Sequence, residues 1–508
     1  MYCVALEGRY LTSNQRIEVE RRDTYLTDEI IIGTGKTRTK ILSGVETPYD
    51  ELLVSENPRV QYYLDLIKIR IALSAGSIPL SDAYTAVKLI EDDPEFVVGN
   101  TFGPLPEIWT PEMISKLITN IRILQKSRVI EASNAYSAII HTLKSASPQV
   151  APEGFLEKVF SYFVYNPLAS FTQAGQDLQC HRSTAKSGFD KVNKKWRIMA
   201  LSLLNGCHFG IKGFTLFFEM QDQTEWESIR DPLLSYPFVK TLHRGVTSPF
   251  GFVSFALPGS KRNEVRFRSS IARVAKRYFD YSSLHLSQGL TRIVNPGLIK
   301  DGGWELPECL ISGEIRGPVK SKPAISSIGC PGYLDELTKD DFITSEIVSY
   351  HLRKSNSELA EIMRSRGYNV NSNQIGYRIQ KMMQLGVMNP WLWFSGVGLH
   401  YSFTIEIVSN HEARQRIFEA VSGFPEVFTT PTDRGAIIWL DIPKYHLKNY
   451  YDYLSLLLKI PGVERIRPIL ALERSGGKNY IDIYENLEFG TDGFCSTSSD
   501  MDINDYVP

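Results

Sequence analysis

The sequence predicts an α+β protein in which one arrangement of helices and strands occurs twice. The first observation is that the spacing of apolar residues changes between helical and strand patterns in the same order in residues 155–293 and 341–473. The second is a landmark glycine before the first strand of each repeat, Gly213 and Gly398, 185 positions apart. The third is a stretch dense in Gly and Pro, 301–332, which separates the two repeats. A repeat fixes the architecture, because each copy is expected to form the same unit.

Each repeat is predicted to hold three helices and then the order strand, helix, strand, strand, helix, strand. The helical stretches place apolar residues three and four positions apart, as Ile375, Ile379 and Met382 are placed. In the first repeat the predicted helices are 155–166, 171–179 and 183–196, followed by strand 213–220, helix 224–236, strands near Val239 and at 251–257, helix 268–279 and strand 285–294. In the second repeat the helices are 342–355, 355–367 and 369–388, followed by strand 399–408, helix 411–424, strands near Val427 and at 435–442, helix 444–460 and strand 462–473.

The region before the repeats has its own pattern. Residues 1–57 alternate like strands, whereas residues 58–146 show helical spacing, with Leu64, Ile67 and Ile71 in one stretch. We therefore predict a small N-terminal α+β module, whose role the sequence does not indicate.

The charged residues are distributed unevenly along the chain. Its 508 residues carry 56 basic and 57 acidic side chains, and 43% of all residues are apolar, which excludes a disordered chain overall. Residues 151–300 hold 20 basic and 11 acidic side chains, so this region should attract a polyanion most strongly. Residues 481–508 hold seven acids, no base and no periodic apolar face, which predicts a disordered tail.

The cysteine pattern and hydropathy predict a cytoplasmic protein. The six cysteines include no C-x-x-C pair, which suits a reducing compartment better than a disulfide framework. No apolar run is long enough to cross a bilayer, and the N-terminus lacks the basic region of a signal peptide, so no membrane partner is expected.

The third helix of the first repeat is the strongest candidate for contact with a polyanion. The stretch 180–200 holds six cations against one acid, Asp190. A clustered cationic face suits phosphates, because neutralising them releases counterions, and hydroxyl groups nearby reach phosphate oxygens or base edges. The predicted DNA-binding residues here are Arg182, Ser183, Thr184, Lys186, Lys191, Lys194 and Lys195. The alternative is an ordinary solvated helix face.

The corresponding helix of the second repeat has fewer cations and more amide groups, which suit adenine edges. Its predicted DNA-binding residues are Asn373, Gln374, Tyr377, Arg378 and Lys381. We expect this copy to read sequence while the first copy supplies affinity for any duplex. The alternative is a helix retained only for packing.

Two further motifs have some of the residues that a binding site needs. Residues 33–37 (GTGKT) look like the end of a phosphate-binding loop, but the position that needs the preceding glycine is Ile30. The pairs Cys180-His181 and Cys207-His208 offer two Cys and two His to zinc, although neighbouring residues seldom both point at one metal. We therefore predict no nucleotide site, no metal and no cofactor.

Several segments of the second repeat resemble the Lrp/AsnC (feast/famine) family of transcription regulators. They are Ser357-Glu358-Leu359-Ala360-Glu361, the run from Gln374 to Met382 with Leu385-Gly386-Val387, and Pro461-Gly462-Val463. The resemblance implies a winged helix-turn-helix domain followed by a ferredoxin-like βαββαβ domain, and the first repeat matches the same plan. It also implies that the two ferredoxin-like sheets pack as an internal pseudo-dimer.

The resemblance implies a sequence-specific transcription regulator that binds double-stranded DNA and is not an enzyme. It leaves a small-molecule effector and homo-oligomers open. Two alternatives are a tetrapyrrole enzyme like the siroheme decarboxylases, which resemble the same tandem architecture, and an interaction scaffold that does not touch DNA. The expected domains are an N-terminal module (1–150), winged helix-turn-helix 1 (151–208), ferredoxin-like domain 1 (209–300), a linker (301–337), winged helix-turn-helix 2 (338–396), ferredoxin-like domain 2 (397–475) and the acidic tail (476–508).

Overall fold

The computed structural model has a mixed α+β fold with several antiparallel sheets, as the sequence predicts. It describes residues 44–56, 58–78, 86, 111–126, 150–196, 198–222, 226–245, 248–313, 315, 322–365, 368–394, 397–470, 472–478, 480–497 and 499–507. None of the helices in these ranges is both long and apolar enough to cross a membrane. The chain divides into two units, one formed by 1–146, 354–378 and 473–479, and the other by 147–353, 379–472 and 480–508.

The first unit contains helices α1 (Pro58–Ser74) and α2 (Pro111–Lys126). Both helices lie where the apolar spacing predicts helix. Ile67 and Ile71 of α1 and Leu117 and Ile121 of α2 belong to one buried cluster. Most of the predicted strand region, including residues 33–37, lies outside the described residues.

The first repeat lies in the second unit and follows the predicted order of elements, with one further strand, β1, before the first predicted strand. Its elements are α3 (Phe155–Tyr165), α4 (Phe171–Asp177), α5 (Arg182–Trp196), β1 (Met199–Leu204), β2 (Ile211–Met220), α6 (Trp226–Ser235), β3 (Val239–Gly245), β4 (Phe250–Pro258), α7 (Lys261–Tyr278), β5 (Phe279–Leu286) and β6 (Gly289–Val294). Strands β2 to β5 pair antiparallel in the spatial order β5-β2-β4-β3.

Two predicted boundaries in this repeat differ from the structure. Helix α7 begins at Lys261 rather than at 268, because Ser260 caps it: the Ser260 hydroxyl accepts a hydrogen bond from the backbone N–H of Asn263. The predicted final strand, 285–294, is divided between β5 and β6. The longer α7 holds three more cations than the predicted span 268–279, namely Lys261, Arg262 and Arg266.

The segment between the repeats contains regular structure rather than an unstructured linker. Its elements are β7 (Ile299–Lys300), β8 (Gly303–Trp304), α8 (Glu308–Ser312) and β9 (Ala324–Gly329). Strand β9 pairs antiparallel with β6, from Gly289 opposite Gly329 to Val294 opposite Ala324. The segment is therefore ordered in part because it supplies backbone partners to an otherwise open strand edge.

The second repeat follows the same order of elements. They are α9 (Lys339–Val348), α10 (Asn356–Ser365), α11 (Ser372–Gln384), β10 (Met388–Trp393), β11 (Leu399–Ser409), α12 (His411–Val421), β12 (Glu426–Thr432), β13 (Gly435–Pro443), α13 (Leu447–Leu457), β14 (Val463–Leu470) and β15 (Leu472–Gly476). Strands β11 to β14 pair antiparallel in the order β14-β11-β13-β12. The two repeats therefore share one strand order, in which the first and third strands are central.

Within the second unit, strands of the two repeats pair directly with each other. Strand β1 is antiparallel to β10, the strand at the same place in the other repeat, with Leu204 opposite Met388. Strand β6 is antiparallel to β12, with Val294 opposite Glu426. These ladders join the halves through backbone hydrogen bonds as well as through side chains.

The prediction of a disordered C-terminal tail is wrong for the described tail residues. They form α14 (Tyr480–Tyr484), a hairpin of β16 (Phe489–Gly490) and β17 (Gly493–Phe494), and a short 3-10 turn (Ile503–Asp505). Met501, Ile503 and Val507 are buried. A few well-spaced apolar side chains anchor the segment despite its acidic composition, because each one is almost completely removed from water.

The prediction of free cysteines is also corrected. Cys207, just after β1, forms a disulfide with Cys330, just after β9, with 5.4 Å between their Cα atoms. The two positions are 123 residues apart, so their spacing in the sequence gave no sign of the pair. Their proximity arises only once β9 has folded back on the first repeat.

Candidate nucleic-acid interface

A tight turn positions α5 directly after α4. Ser170 caps the start of α4, because its hydroxyl accepts from the backbone N–H of Gln173 at 3.1 Å. In the turn, Gln179 has a left-handed φ of 53°. A Cβ on Gly175 would lie 2.9 Å from the Cys180 carbonyl oxygen, so glycine lets α4 approach the turn this closely.

One face of α5 is fixed by apolar packing. Ala185, Phe189, Val192 and Trp196 follow helical spacing and are all buried. The Phe189 ring meets that of Phe163 edge-on, with 4.7 Å between centroids. The indole N–H of Trp196 donates to the carbonyl of residue 150 at 2.9 Å. The helix therefore presents its other face to solvent in one orientation.

The outer face of α5 carries the cations that the sequence analysis selected. Arg182, Lys186, Lys191, Lys194 and Lys195 are all exposed. None of the five forms an ion pair in the part of the chain that the structure describes. The Lys195 ammonium lies 4.5 Å from the ring centre of Trp196, which orients it. The sixth cation of this stretch, Arg197, lies outside the described residues.

The polar residues at the start of α5 are also at the surface. Ser183 and Thr184 are exposed. The Ser183 hydroxyl lies 2.7 Å from Nδ1 of His181, and the Ser183 backbone N–H donates to the same nitrogen at 3.3 Å. His181 thus supports the first turn of the helix, and Thr184 keeps its hydroxyl at the surface.

Two of the candidate residues of α11, Gln374 and Lys381, make contacts within the protein. The Gln374 side chain accepts from the backbone N–H of Asn371 at 2.9 Å, and the Asn371 side chain accepts from the backbone N–H of Gln374 at 3.0 Å. This reciprocal pair caps the helix, so Gln374 is engaged within the chain. Arg378 is half-buried, whereas Asn373 is exposed and the Tyr377 side chain is 70% exposed.

Lys381 is partly buried and contacts two oxygens of the protein. Its ammonium donates to the carbonyl of Glu336 at 2.7 Å and to the carboxylate of Asp341 at 3.0 Å. Asp341 is buried and also accepts from the Thr338 hydroxyl and backbone. Lys381 therefore neutralises a buried carboxylate at the start of α9.

A buried polar cluster joins β5 to the second repeat. His285 Nε2 lies 3.0 Å from Glu406 Oε1, His285 Nδ1 lies 3.0 Å from the Thr432 hydroxyl, and the Tyr281 hydroxyl donates to Glu406 at 2.8 Å. Burial opposes ionisation of Glu406, but the hydrogen bonds and the charge of His285 outweigh it and hold the pKa of this carboxyl below its usual range. The side chains of His285 and Glu406 are fully buried, so the cluster connects the two repeats inside the protein.

The zinc alternative fails on geometry. Cys207 is bonded to Cys330, and Nδ1 of His208 lies 3.2 Å from the carbonyl of Gly332. Among the described residues, no group of three or more His, Cys, Asp or Glu side chains is arranged to hold a metal ion.

The sequence analysis missed a second cationic helix, α7. It carries seven cations, Lys261, Arg262, Arg266, Arg268, Arg273, Lys276 and Arg277, and one acid, Glu264. The charge excess of this stretch was visible in the sequence. The sequence does not predict a cationic helix here, because the predicted helix begins at 268 and so leaves out the first three of these cations.

No known family model matches this chain, and no curated protein matches it. Solved structures similar to it include the siroheme decarboxylase NirDL, at 9% identity and a TM-score of 0.40, covering 65% of this chain and 96% of that one. The same enzyme in complex with an iron-uroporphyrin III analogue matches at 10% identity and a TM-score of 0.39, with the same coverage. A third structure, PH0061, matches at 12% identity and a TM-score of 0.20, covering 27% of this chain and 92% of that one.

These comparisons correct one expectation. The expectation that the chain is not an enzyme finds no support in them, because the similar structures include an enzyme, the siroheme decarboxylase NirDL. The similarity is too distant to carry an argument about which activity, if any, this chain has. It also does not assign the chain to the Lrp/AsnC family.

Proposed function

We propose that this protein binds double-stranded DNA through α5 and acts as a transcription regulator. The observation that carries the proposal is the exposed face of α5, where five cations have no ion-pair partner in the described part of the chain. Cations that do not neutralise a carboxylate are available to phosphates. Each phosphate contact releases condensed counterions, which gives a large favourable free energy at moderate salt.

The packing of α5 supports this role. A recognition helix needs one face held firmly by the protein and the other directed outward, because DNA binding depends on the placement of several side chains at once. The buried stripe from Ala185 to Trp196 supplies the first, and the cations supply the second. The preceding helix and its tight turn fit the order of a helix-turn-helix.

We propose further that each repeat is a winged helix-turn-helix domain followed by a ferredoxin-like domain, as in the Lrp/AsnC family. The shared strand order of the two sheets supports this assignment. The contacts of Tyr281 and His285 on β5 with Glu406 on β11 support the idea that the two sheets pack as an internal pseudo-dimer. One chain would then supply the symmetry that a dimer supplies in other regulators.

The direct test compares two double variants that remove the same charge from different surfaces. We expect K191A/K194A to weaken binding to a labelled duplex on the order of tenfold at moderate salt, because it removes two phosphate contacts. The control, K448A/K459A, removes two exposed lysines from α13 and the residues just after it and should leave affinity unchanged. Fluorescence anisotropy measures both, and equal affinity for the two variants would overturn the proposal.

A further inference from the structure

Helix α7 is amphipathic, and six of the nine exposed residues on its outer face are Arg or Lys. Its inner face is buried through Phe267, Ile271 and Val274. Residues 262, 266, 273 and 276 lie along one outward stripe, since they are separated by four, seven and three positions. All four side chains of that stripe are Arg or Lys and all are exposed. At 1.5 Å per residue the stripe is about 21 Å long, which spans several phosphates of a duplex.

Most cations of α7 are not neutralised by the protein. Arg268 is paired with Glu264 and Asp433 at 3.0 Å each. By contrast, Lys261, Arg262 and Lys276 form no ion pair within the described ranges. Burying the inner face of the helix does not require these side chains, so packing alone does not explain them.

Two arginines of the stripe already hold an anion. The Asp502 carboxylate lies 2.7 Å from Nη2 of Arg266 and 3.1 Å from Nη2 of Arg273. The Asp502 side chain is 8% exposed, whereas those of Arg266 and Arg273 are 53% and 55% exposed. Guanidinium groups that bind a carboxylate in this way also suit phosphate oxygens. The C-terminal segment therefore occupies part of the stripe and leaves the rest open.

Neighbouring contacts fix this anion in place. The Ser270 hydroxyl, between the two arginines, donates to the carbonyl of Met501, and the Asn504 side chain donates to Asp502 at 2.6 Å. Buried Met501 and Ile503 hold the segment against the helix. The arginines are thus neutralised in part by a carboxylate that does not leave easily.

We propose that the outward stripe of α7 is a second contact for the phosphate backbone of duplex DNA, and that Asp502 weakens this contact by occupying Arg266 and Arg273. The choice of duplex DNA rests on the function proposed for α5, whereas the surface itself is independent of α5. Charge complementarity carries the assignment: seven cations face outward or sideways on one helix, with one acid among them.

The first test removes the open part of the stripe. We expect R262A/K276A in the full-length protein to weaken duplex binding on the order of tenfold at moderate salt, with an unchanged melting temperature because both side chains are exposed and unpaired in the described ranges. K448A/K459A is again the matched control. Unchanged duplex affinity of R262A/K276A overturns the inference, and so does a loss confined to single-stranded RNA or anionic vesicles.

The second test removes the competing anion. D502N keeps the size of the side chain but removes its charge, so we expect tighter duplex binding, by several-fold, and a steeper dependence on salt. D500N is the control, because Asp500 lies in the same segment and accepts from Ser496 and Thr497. Equal affinities for D502N and D500N would contradict the role of Asp502.

The experiments distinguish a failure of the function proposed for α5 from a failure of the inference about α7. If K191A/K194A loses affinity and R262A/K276A does not, α5 binds DNA and the inference about α7 is wrong. If R262A/K276A loses affinity and K191A/K194A does not, α7 is the contact and the function proposed for α5 is wrong.

Discussion

At the scale of single residues, the position of a side chain along a helix decides whether it meets a ligand or the protein itself. Gln374 and Lys381 have the chemistry of DNA contacts, yet one caps α11 and the other neutralises Asp341. The cap was readable from the sequence, because Asn371 and Gln374 have the spacing of a capping box. The ion pair of Lys381 could not be predicted from the sequence, because its partner Asp341 is 40 residues away.

The cap leads to a test at one residue. We expect Q374A to destabilise the protein by about 0.5–2 kcal/mol, since it removes one half of a reciprocal cap. N373A changes the neighbouring exposed residue and should leave stability within about 0.5 kcal/mol of the parent. Urea unfolding measures both, and equal stability of the two variants would show that the cap contributes nothing.

At the scale of elements, the spacing of apolar residues predicts the order and type of the helices and strands well, and their first and last residues less well. In α5, apolar residues spaced three and four apart predict the buried face of the helix. The same spacing therefore also predicts that the cations between them face outward. The start of α7 was missed because its first two turns are dominated by charge, and a Ser cap rather than apolar spacing marks the boundary. Strand β9 lies in the stretch that the sequence predicts to be a linker, because its partner β6 is distant in sequence.

The disulfide gives a prediction for these elements. Cys207 and Cys330 close a long loop between β1 and β9, and such a bond restricts the unfolded chain, so C330S should cost about 2–5 kcal/mol of stability. A reducing agent should lower the Tm of the parent to that of C330S and leave C330S unchanged. A reducing agent without effect on the parent would show that the bond does not stabilise this fold.

At the scale of the whole molecule, long-range pairs between repeats could not be predicted from local pattern. Arg292 of β6 and Glu426 of β12 form a buried ion pair at 2.6 Å, and the Arg292 guanidinium lies 4.3 Å from the ring centre of Trp391. Burial raises the pKa of Glu426 to about 7, although the charge of Arg292 opposes the shift. The two side chains come into contact only where β6 pairs with β12, so neither residue alone indicates the ion pair.

The pair predicts a pH dependence. R292M leaves the Glu426 carboxyl buried without its cation and should cost about 3–5 kcal/mol, whereas R292M/E426Q should recover part of that loss. A carboxyl with a raised pKa in the folded state binds a proton on folding, so its stability contribution is lost as pH rises above the ordinary value of 4.5. The stability gap between R292M and R292M/E426Q should therefore widen as pH rises above the ordinary carboxyl value of 4.5, because the loss of Arg292 removes the charge that opposes the upward shift of the Glu426 pKa. A constant gap would contradict the burial of this carboxyl.

The measurement that tests the central claim most directly is the salt dependence of duplex binding. For the parent and for K186A/K191A/K194A, the logarithm of the binding constant is plotted against the logarithm of the salt concentration. The slope should become shallower by up to about three units in the triple variant, because each lost phosphate contact removes about 0.9 of a unit. Parallel lines for the two proteins would show that the outer face of α5 does not touch the DNA backbone.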